Sequence, residues 1–308
     1  MILHLKYPYS AYKSLRRLLT QQASSSLSEN SLNYCATIVR QHDYENYLAT
    51  LLMTKALRSP ALVVRAFNAE IARVQDQTTD PQTAAMRLQF WQDAMGVIYD
   101  KQNANIPANP VTQELNKICA TYKLPKRYIE RLISSRAGLL KTKYFKSLED
   151  VEAYTENTVS TIYYLLLCIA GVANVHADHA ASHLGKAQGL VNILRSVHIS
   201  NYHKTICLPM EVLMKYKVSQ QAVLRGTDNE NMRNVVFEIA SRAKSHLEKA
   251  RKIEVPKICN QIFLPAIAVD KYLTKLQKKN FNVFDKSLQL GSPMLPLSLY
   301  YKRLLNKY

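Results

Sequence analysis

Asp76 and Asp80 stand four residues apart in Asp76-Gln77-Thr78-Thr79-Asp80, a spacing that puts two carboxylates on one helix face. Such a pair can bridge Mg²⁺ ions that hold a diphosphate, because hard oxygen ligands suit that ion. Pro81 follows directly, however, which sets Asp80 at a helix end, and exposed acid pairs are common. A second group is His176-Ala177-Asp178-His179 with His183. His179 and His183 are four apart and could share a metal, yet the glutamate of an HExxH pair is missing, and solvated histidines in a polar connection between helices account for them more simply. Third, Asn192, Ser196 and Ser200 recur at intervals of four and would line one helix face. Amide and hydroxyl oxygens are poor Mg²⁺ ligands beside carboxylates, so polar residues at a helix end are the plain reading. There is no nucleophile elbow GxSxG, no GxGxxG and no Walker A sequence.

The elements that must position these groups read as helix after helix in a 308-residue chain of which 47% is hydrophobic, enough for a sizeable core. Ser59-Pro60 predicts a helix start, followed by Leu62, Ala66, Ile71 and Val74 at helical spacing. Ala84 to Tyr99 predicts another, with Met86, Phe90, Met95 and Ile98 on its apolar side. Gln102 to Pro110 reads as a polar loop, and Leu115 to Tyr122 and Lys126 to Leu140 as two further helices. Ser147-Leu148-Glu149-Asp150 is a loose capping box that opens the next. Ser182 to Val197, Asp228 to Ile253 and Pro256 to Leu276 complete the set, and no segment alternates as a strand would. Asn157 to Val175 carries no charge and approaches the ~20 residues of a membrane span, but its Asn, Thr and Ser content predicts a buried central helix instead.

The formal net charge is +18. The basic residues are spread along the chain and no nucleic-acid-binding signature occurs, so the charge points to targeting and to an anionic membrane surface, with no nucleic-acid partner. The five cysteines are isolated and odd in number, which suits packing residues in a reducing compartment. No Asp or Glu precedes Glu29, while Lys6, Lys13, Arg16, Arg17 and a serine run occupy that stretch. A basic, acid-free, amphipathic start is what a mitochondrial presequence requires, so residues 1–34 are expected to be a targeting segment and 35–308 one helical domain.

Six segments in order resemble the squalene/phytoene synthase superfamily: Ala66-Phe67-Asn68-Ala69-Glu70-Ile71-Ala72-Arg73-Val74, Arg87-Leu88-Gln89-Phe90-Trp91, Lys143 to Tyr154, Gly185 to Arg195, Cys207-Leu208-Pro209 and Asn280-Phe281-Asn282-Val283-Phe284-Asp285. The resemblance covers about residues 40 to 290. It implies an all-α fold, a single large helical bundle of the isoprenoid synthase type with a central cavity. In active members two aspartate-rich motifs hold the Mg²⁺ that ionises a prenyl diphosphate. Here the first motif aligns with Ala72-Arg73-Val74-Gln75-Asp76, so its leading aspartates are Ala72 and Arg73 and only Asp76 stays in register. The second aligns with Ser196-Val197-His198-Ile199-Ser200, both aspartates being serines. One or two carboxylates beside an arginine cannot offset a trinuclear Mg²⁺ cluster, so the resemblance implies a pseudoenzyme with no catalytic residues, cofactor or metal.

Within the superfamily the mitochondrial complex I assembly factor 6 branch fits best, through the basic start and the tail Met294-Leu295-Pro296-Leu297-Ser298-Leu299-Tyr300. That branch implies a non-catalytic assembly factor for respiratory complex I, acting on early subunits at the matrix side of the inner membrane. Its implied partners are complex I subunits or other assembly factors, with peripheral association with the inner membrane and a cavity open to a lipid or prenyl ligand. The competing readings are an active prenyl-diphosphate transferase with atypical metal ligands, and a lipid-surface protein with no part in assembly.

Overall fold

The computed structural model describes residues 31–78, 80–100, 106–200 and 206–308. The expected targeting segment therefore lies almost wholly outside the described residues. All regular structure among them is helical: α1 (Ser31–His42), α2 (Tyr44–Leu51), α3 (Lys55–Ala72), α4 (Pro81–Tyr99), α5 (Pro110–Tyr122), α6 (Lys126–Thr142), α7 (Leu148–Thr155), α8 (Thr161–Ile169) and α9 (Val175–Ser196). They continue as α10 (Met210–Lys215), α11 (Gln220–Arg225), α12 (Glu230–Lys252), α13 (Cys259–Ile262), α14 (Ala266–Lys278) and α15 (Leu295–Leu304).

Helix starts follow local chemistry. Asn109, Asn174 and Asn229 accept hydrogen bonds from backbone N–H groups of the first turns of α5, α9 and α12. The capping box at Ser147 and Asp150 is formed in both directions. Proline opens α4 and α5, where its missing N–H is harmless.

Several boundaries differ from the sequence-based expectation. Helix α3 begins at Lys55, not at Pro60: the Thr54 carbonyl already accepts from Leu57 N (3.0 Å) and Arg58 N (3.1 Å), and burial of Leu57 and Pro60 offsets the one bond that the proline forgoes. Helix α5 begins at Pro110, one turn before the expected Leu115, because Asn109 caps it. The expected Pro256–Leu276 helix is split into α13 and α14 by Pro265, which cannot continue the ladder. On α4 the core face is Ala84, Leu88, Trp91 and Met95, while Met86 and Phe90 are exposed, since they lie across the helix from that stripe.

Helix α9 is the centre of the fold. It packs against α12, α7, α8, α14 and a five-residue π-turn, Glu156–Ser160, between α7 and α8. Ala177, Ala180, Ala181, Leu184, Ala187, Leu190, Val191 and Leu194 are all buried, so the helix is covered on several sides. Its small residues admit close neighbours: a Cβ on Gly185 would lie 2.2 Å from Ser160 Oγ and 2.4 Å from Ser160 Cα. The uncharged 157–175 segment is divided between the π-turn, α8 and a loop, and α8 is buried through Ile162, Tyr163, Leu165, Leu166 and Leu167. Among the described residues no helix is long and apolar enough to cross a membrane.

Candidate functional site

Near the junction of α1 and α2 the bundle encloses a cavity of about 80 Å³. Five helices and the π-turn, through Val159, supply its walls. The α1–α2 corner brings Asp43, Glu45 and Asn46; α3 brings Arg65 and Asn68, one turn apart; α8 brings Tyr163; α9 brings Gln188, Asn192 and Arg195 along one face. A hydrogen-bonded chain crosses it. Tyr163 Oη donates to Gln188 Oε1 (2.6 Å), Gln188 Nε2 to Asn46 Oδ1 (3.3 Å), and Asn46 Nδ2 to Asp43 Oδ1 (2.8 Å). Arg195 grips Glu45 with both terminal nitrogens, at 2.7 and 3.2 Å, and its guanidinium lies 4.6 Å from the centre of the Tyr272 ring.

Charge in this cavity is only partly matched by hydrogen bonds. Arg65 is 3% exposed, and neither its Nε nor its Nη2 has a hydrogen-bond partner among the described residues. Burial pushes the Asp43 carboxyl above its ordinary range, although Arg65 and Asn46 oppose the rise. Behind the cavity, buried Arg136 donates to Leu132 O and Asn68 Oδ1, both at 2.7 Å, which fixes Asn68. The expected central cavity is thus present but small and polar. Pockets that enclose a drug-sized ligand run to ~300–1,000 Å³. Phe67, Tyr163, Phe263, Ile71 and Met95 are fully buried side chains of the surrounding core, and Tyr163 meets Phe263 edge to face at 5.8 Å.

The residues at the aspartate-motif positions lie at the ends of α3 and α9. Ala72 is buried and ends α3; Arg73 opens the 3₁₀ turn Arg73–Gln75, and Asp76 follows it. Burial pushes the Glu70 carboxyl up and Arg73 opposes that rise, so Arg73 serves its own neighbourhood. Asp76 and Asp80 do not share a helix face. A turn separates them, and both Asp80 oxygens are engaged at the start of α4 by Gln82 N, Thr83 N and Thr83 Oγ1. Those bonds hold the Asp80 carboxyl below its ordinary range.

At the other motif Ser196 and Ser200 are 1% and 3% exposed. Their hydroxyls bond to their own backbone, Ser196 Oγ to Ile193 O at 2.7 Å and Ser200 Oγ to Ser196 O at 3.5 Å. The fold does bring the two motifs toward one another. The Cys207 thiol, raised to about 11 chiefly by burial, feels both a Ser196 hydrogen bond and the charge of Asp76. Among the described residues no three His, Cys, Asp or Glu side chains converge as metal ligands. This donor set, two hydroxyls turned onto their own backbone with Asp76 the one carboxylate in register, does not fit a Mg²⁺–diphosphate cluster.

The histidine group is resolved differently from the sequence expectation. His176, Asp178 and His179 are not in a connection: Asn174 caps α9 and carries them on its first turns. His183 pairs not with exposed His179 but with His246 of α12, Nδ1 to Nδ1 at 2.8 Å. His246 Nε2 lies 3.1 Å from Glu152 Oε1, which also accepts from Arg242. The network fits a His183 N–H donating to His246 and a His246 N–H donating to Glu152. Burial alone would raise Glu152, but these hydrogen bonds and charges outweigh it and hold the carboxyl at about 2. No local spacing signals this network, since its members come from α7, α9 and α12. Arg65 did carry a signal, as one cation inside the run Leu62-Val63-Val64-Arg65-Ala66-Phe67.

Comparison with known proteins accords with this geometry. The family model for squalene/phytoene synthase matches residues 39–294. A Drosophila melanogaster protein described as NADH dehydrogenase (ubiquinone) complex I, assembly factor 6 homolog is 40% identical over 89% of this chain and 84% of its own length. The Rattus norvegicus complex I assembly factor 6 is 38% identical over 96% of this chain and 88% of its own. Among solved structures, a dehydrosqualene synthase in complex with ligand superposes with a TM-score of 0.74 over 97% of this chain and 98% of its own, at 16% identity. At that identity the match speaks for the helical fold alone.

Proposed function

The chain belongs to the squalene/phytoene synthase family, and from that premise we propose that it is a non-catalytic assembly factor for mitochondrial respiratory complex I, acting on early subunits at the matrix side of the inner membrane. Its partners are complex I subunits or other assembly factors, and it is imported by way of the basic segment 1–34. The assembly role is supported by the near-full-length similarity to relatives described as complex I assembly factors. One observation carries the non-catalytic part: the buried hydroxyls of Ser196 and Ser200, at positions where active members have aspartates, are bonded to their own helix. Without carboxylates there the Lewis acid that pulls a diphosphate away has no seat. The small, polar cavity supports the same reading, because it lacks the length and apolarity of a prenyl-chain tunnel.

The test is depletion with complementation. Depleting the protein should lower complex I and leave the other respiratory complexes largely intact, and Asp76→Ala should restore it. Purified protein should release no diphosphate from farnesyl or geranylgeranyl diphosphate, with or without Mg²⁺. Turnover abolished by Asp76→Ala, or a normally accumulating Asp76→Ala protein that fails to rescue, would overturn the pseudoenzyme reading.

A further inference from the structure

Helix α15 is firmly held on one side and bare on the other. Leu295 and Leu299 are buried in a small cluster with Ala49, Leu264, Ile267 and Ala268. Arg303 Nε donates to Leu52 O at 3.0 Å, and beyond the helix Asn260 Nδ2 donates to Asn306 O at 2.8 Å. The outward face is therefore a fixed surface and no frayed end. Leu297, Tyr300, Tyr301 and Leu304 fall at i, i+3, i+4 and i+7 and are 61%, 55%, 60% and 66% exposed, with Met294 just before them.

Beside this face runs a groove of about 310 Å³. Lys271, Lys275 and Lys278 line it, one side of α14 at i, i+4 and i+7. Lys271 Nζ reaches Met294 O at 3.5 Å, so the lysine row and the apolar helix adjoin. The acids that also line the groove are already engaged: Glu45 by Arg195 at 2.7 Å, and Asp270 by Lys244 and Arg251 at 2.9 Å each. Lys275 Nζ donates to Ser287 O and, at 3.3 Å, to Leu290 O, but these neutral partners leave its charge uncompensated, so the lysines give the groove an excess of positive charge.

We propose that this face docks on an anionic lipid bilayer, with Leu297, Tyr300, Tyr301 and Leu304 entering the interface and Lys271, Lys275 and Lys278 meeting lipid phosphates. A rigid helix with leucines at its crest, tyrosines suited to the headgroup level and a row of flexible cations alongside is the composition of an interfacial helix. Charge complementarity selects an anionic surface, and the groove suits a phosphate headgroup, whereas a neutral protein patch would leave three lysines unmatched. The inference deepens the reading above, which sets the chain against a membrane, and rests on it only for where such a bilayer is met.

The test is cosedimentation of the full chain with vesicles of phosphatidylcholine alone and of an equal mixture of phosphatidylcholine and phosphatidylglycerol. Each lysine near an anionic surface contributes about fivefold to partitioning, so Lys271→Gln/Lys275→Gln/Lys278→Gln should lower binding to the mixed vesicles by on the order of a hundredfold. Leu297→Ser/Leu304→Ser should lower binding to both. The basic first residues are present in every protein compared. Lys271→Gln/Lys278→Gln, which keeps Lys275 and its bonds to Ser287 O and Leu290 O, serves as the stability control: its circular dichroism and melting should match the parent while its binding to the mixed vesicles falls by about tenfold or more. A parent chain that does not sediment, or variants that sediment like it, overturns the proposal. So does a dimer in sedimentation velocity that Leu297→Ser/Leu304→Ser splits, since a second copy then covers the face. Complex I levels after depletion are read separately: a normal level with the expected vesicle binding defeats the assembly role alone, and a reduced level without vesicle binding defeats this face alone.

Discussion

In the middle of α9, Gly185 and Gly189 lie against Ser160 and Thr155 so closely that any Cβ would overlap them, and His183 reaches His246 and through it Glu152. At the end of the same helix, Ser196 and Ser200 satisfy their hydroxyls on carbonyls three and four residues back. The middle is thus fixed by shape and by charge drawn from elements 63 and 94 residues apart in the chain. The end is tied to its neighbours by fewer and more local contacts: Arg195 to Glu45 and the Tyr272 ring, and Ser196 to the Cys207 thiol. The middle of the helix serves as a packing spine.

The strongest way to break this contrast is Gly185→Val. The added carbons meet Ser160 backbone atoms at 2.4 and 2.5 Å, which cannot swing aside as a side-chain tip could. Loss of more than ~4 kcal/mol is expected, the exceptional class for one substitution, seen as failure to accumulate folded protein. A valine variant that melts like the parent would show that the π-turn yields freely.

Arg195→Ala comes next. Its partner Glu45 is left with a side chain only 15% exposed, and the contact with Tyr272 goes too. Roughly 3 kcal/mol should be lost, measured by chemical denaturation, and Glu45→Gln/Arg195→Ala should recover part of it.

A smaller effect sharpens the middle of the helix. Burial and His246 push His183 below its ordinary 6.5, so as pH falls past that value the unfolded chain takes the proton first and stability drops. Glu152, held at about 2 against an ordinary 4.5, contributes stability that is whole above pH 4.5 and lost as pH falls toward 2. Melting temperature against pH should therefore decline in two stages, and Glu152→Gln should shrink the lower one without removing it, since Asp285 is also held at about 2 and Asp270 lies below its ordinary range. An undiminished lower stage in that variant would mean other carboxylates carry it.

Smallest of all should be Ser196→Ala. The change removes the hydroxyl's bond to Ile193 O within the same turn, so it should cost about 1 kcal/mol, and Mg²⁺ should not alter the melting temperature of either protein. A rise with Mg²⁺ in the parent that Ser196→Ala abolishes would mean the end of α9 binds a cation after all.

Much of the scaffold was legible before any coordinates. The capping box at Ser147, the helices at Lys126 and Asp228 and the buried run at Tyr163 to Leu167 are local signals of side chain on backbone or of unbroken apolarity, and such signals survive folding. The family was legible too, because six segments in order resemble it, and the family model matches residues 39–294. Pro60 and Pro265 show the limit. A proline at Pro60 reads as a helix start, but the helix reaches back to Lys55 with Leu57 buried, whereas Pro265 marks a break between two helices although Ile262, Phe263 and Leu264 before it are fully buried.

The sequence by itself determined the class of fold and the family, since these depend on residue identity and short-range spacing. Only the tertiary structure decided that Asp80 is a cap, that His183 answers to His246 and not to His179, and that Arg65 lies buried beside a small cavity of about 80 Å³. It also decided that the apolar crest of α15 adjoins a row of lysines from α14. Each is a meeting of residues distant along the chain or a choice between faces of one helix, and such meetings are set by how helices pack, which no local pattern encodes.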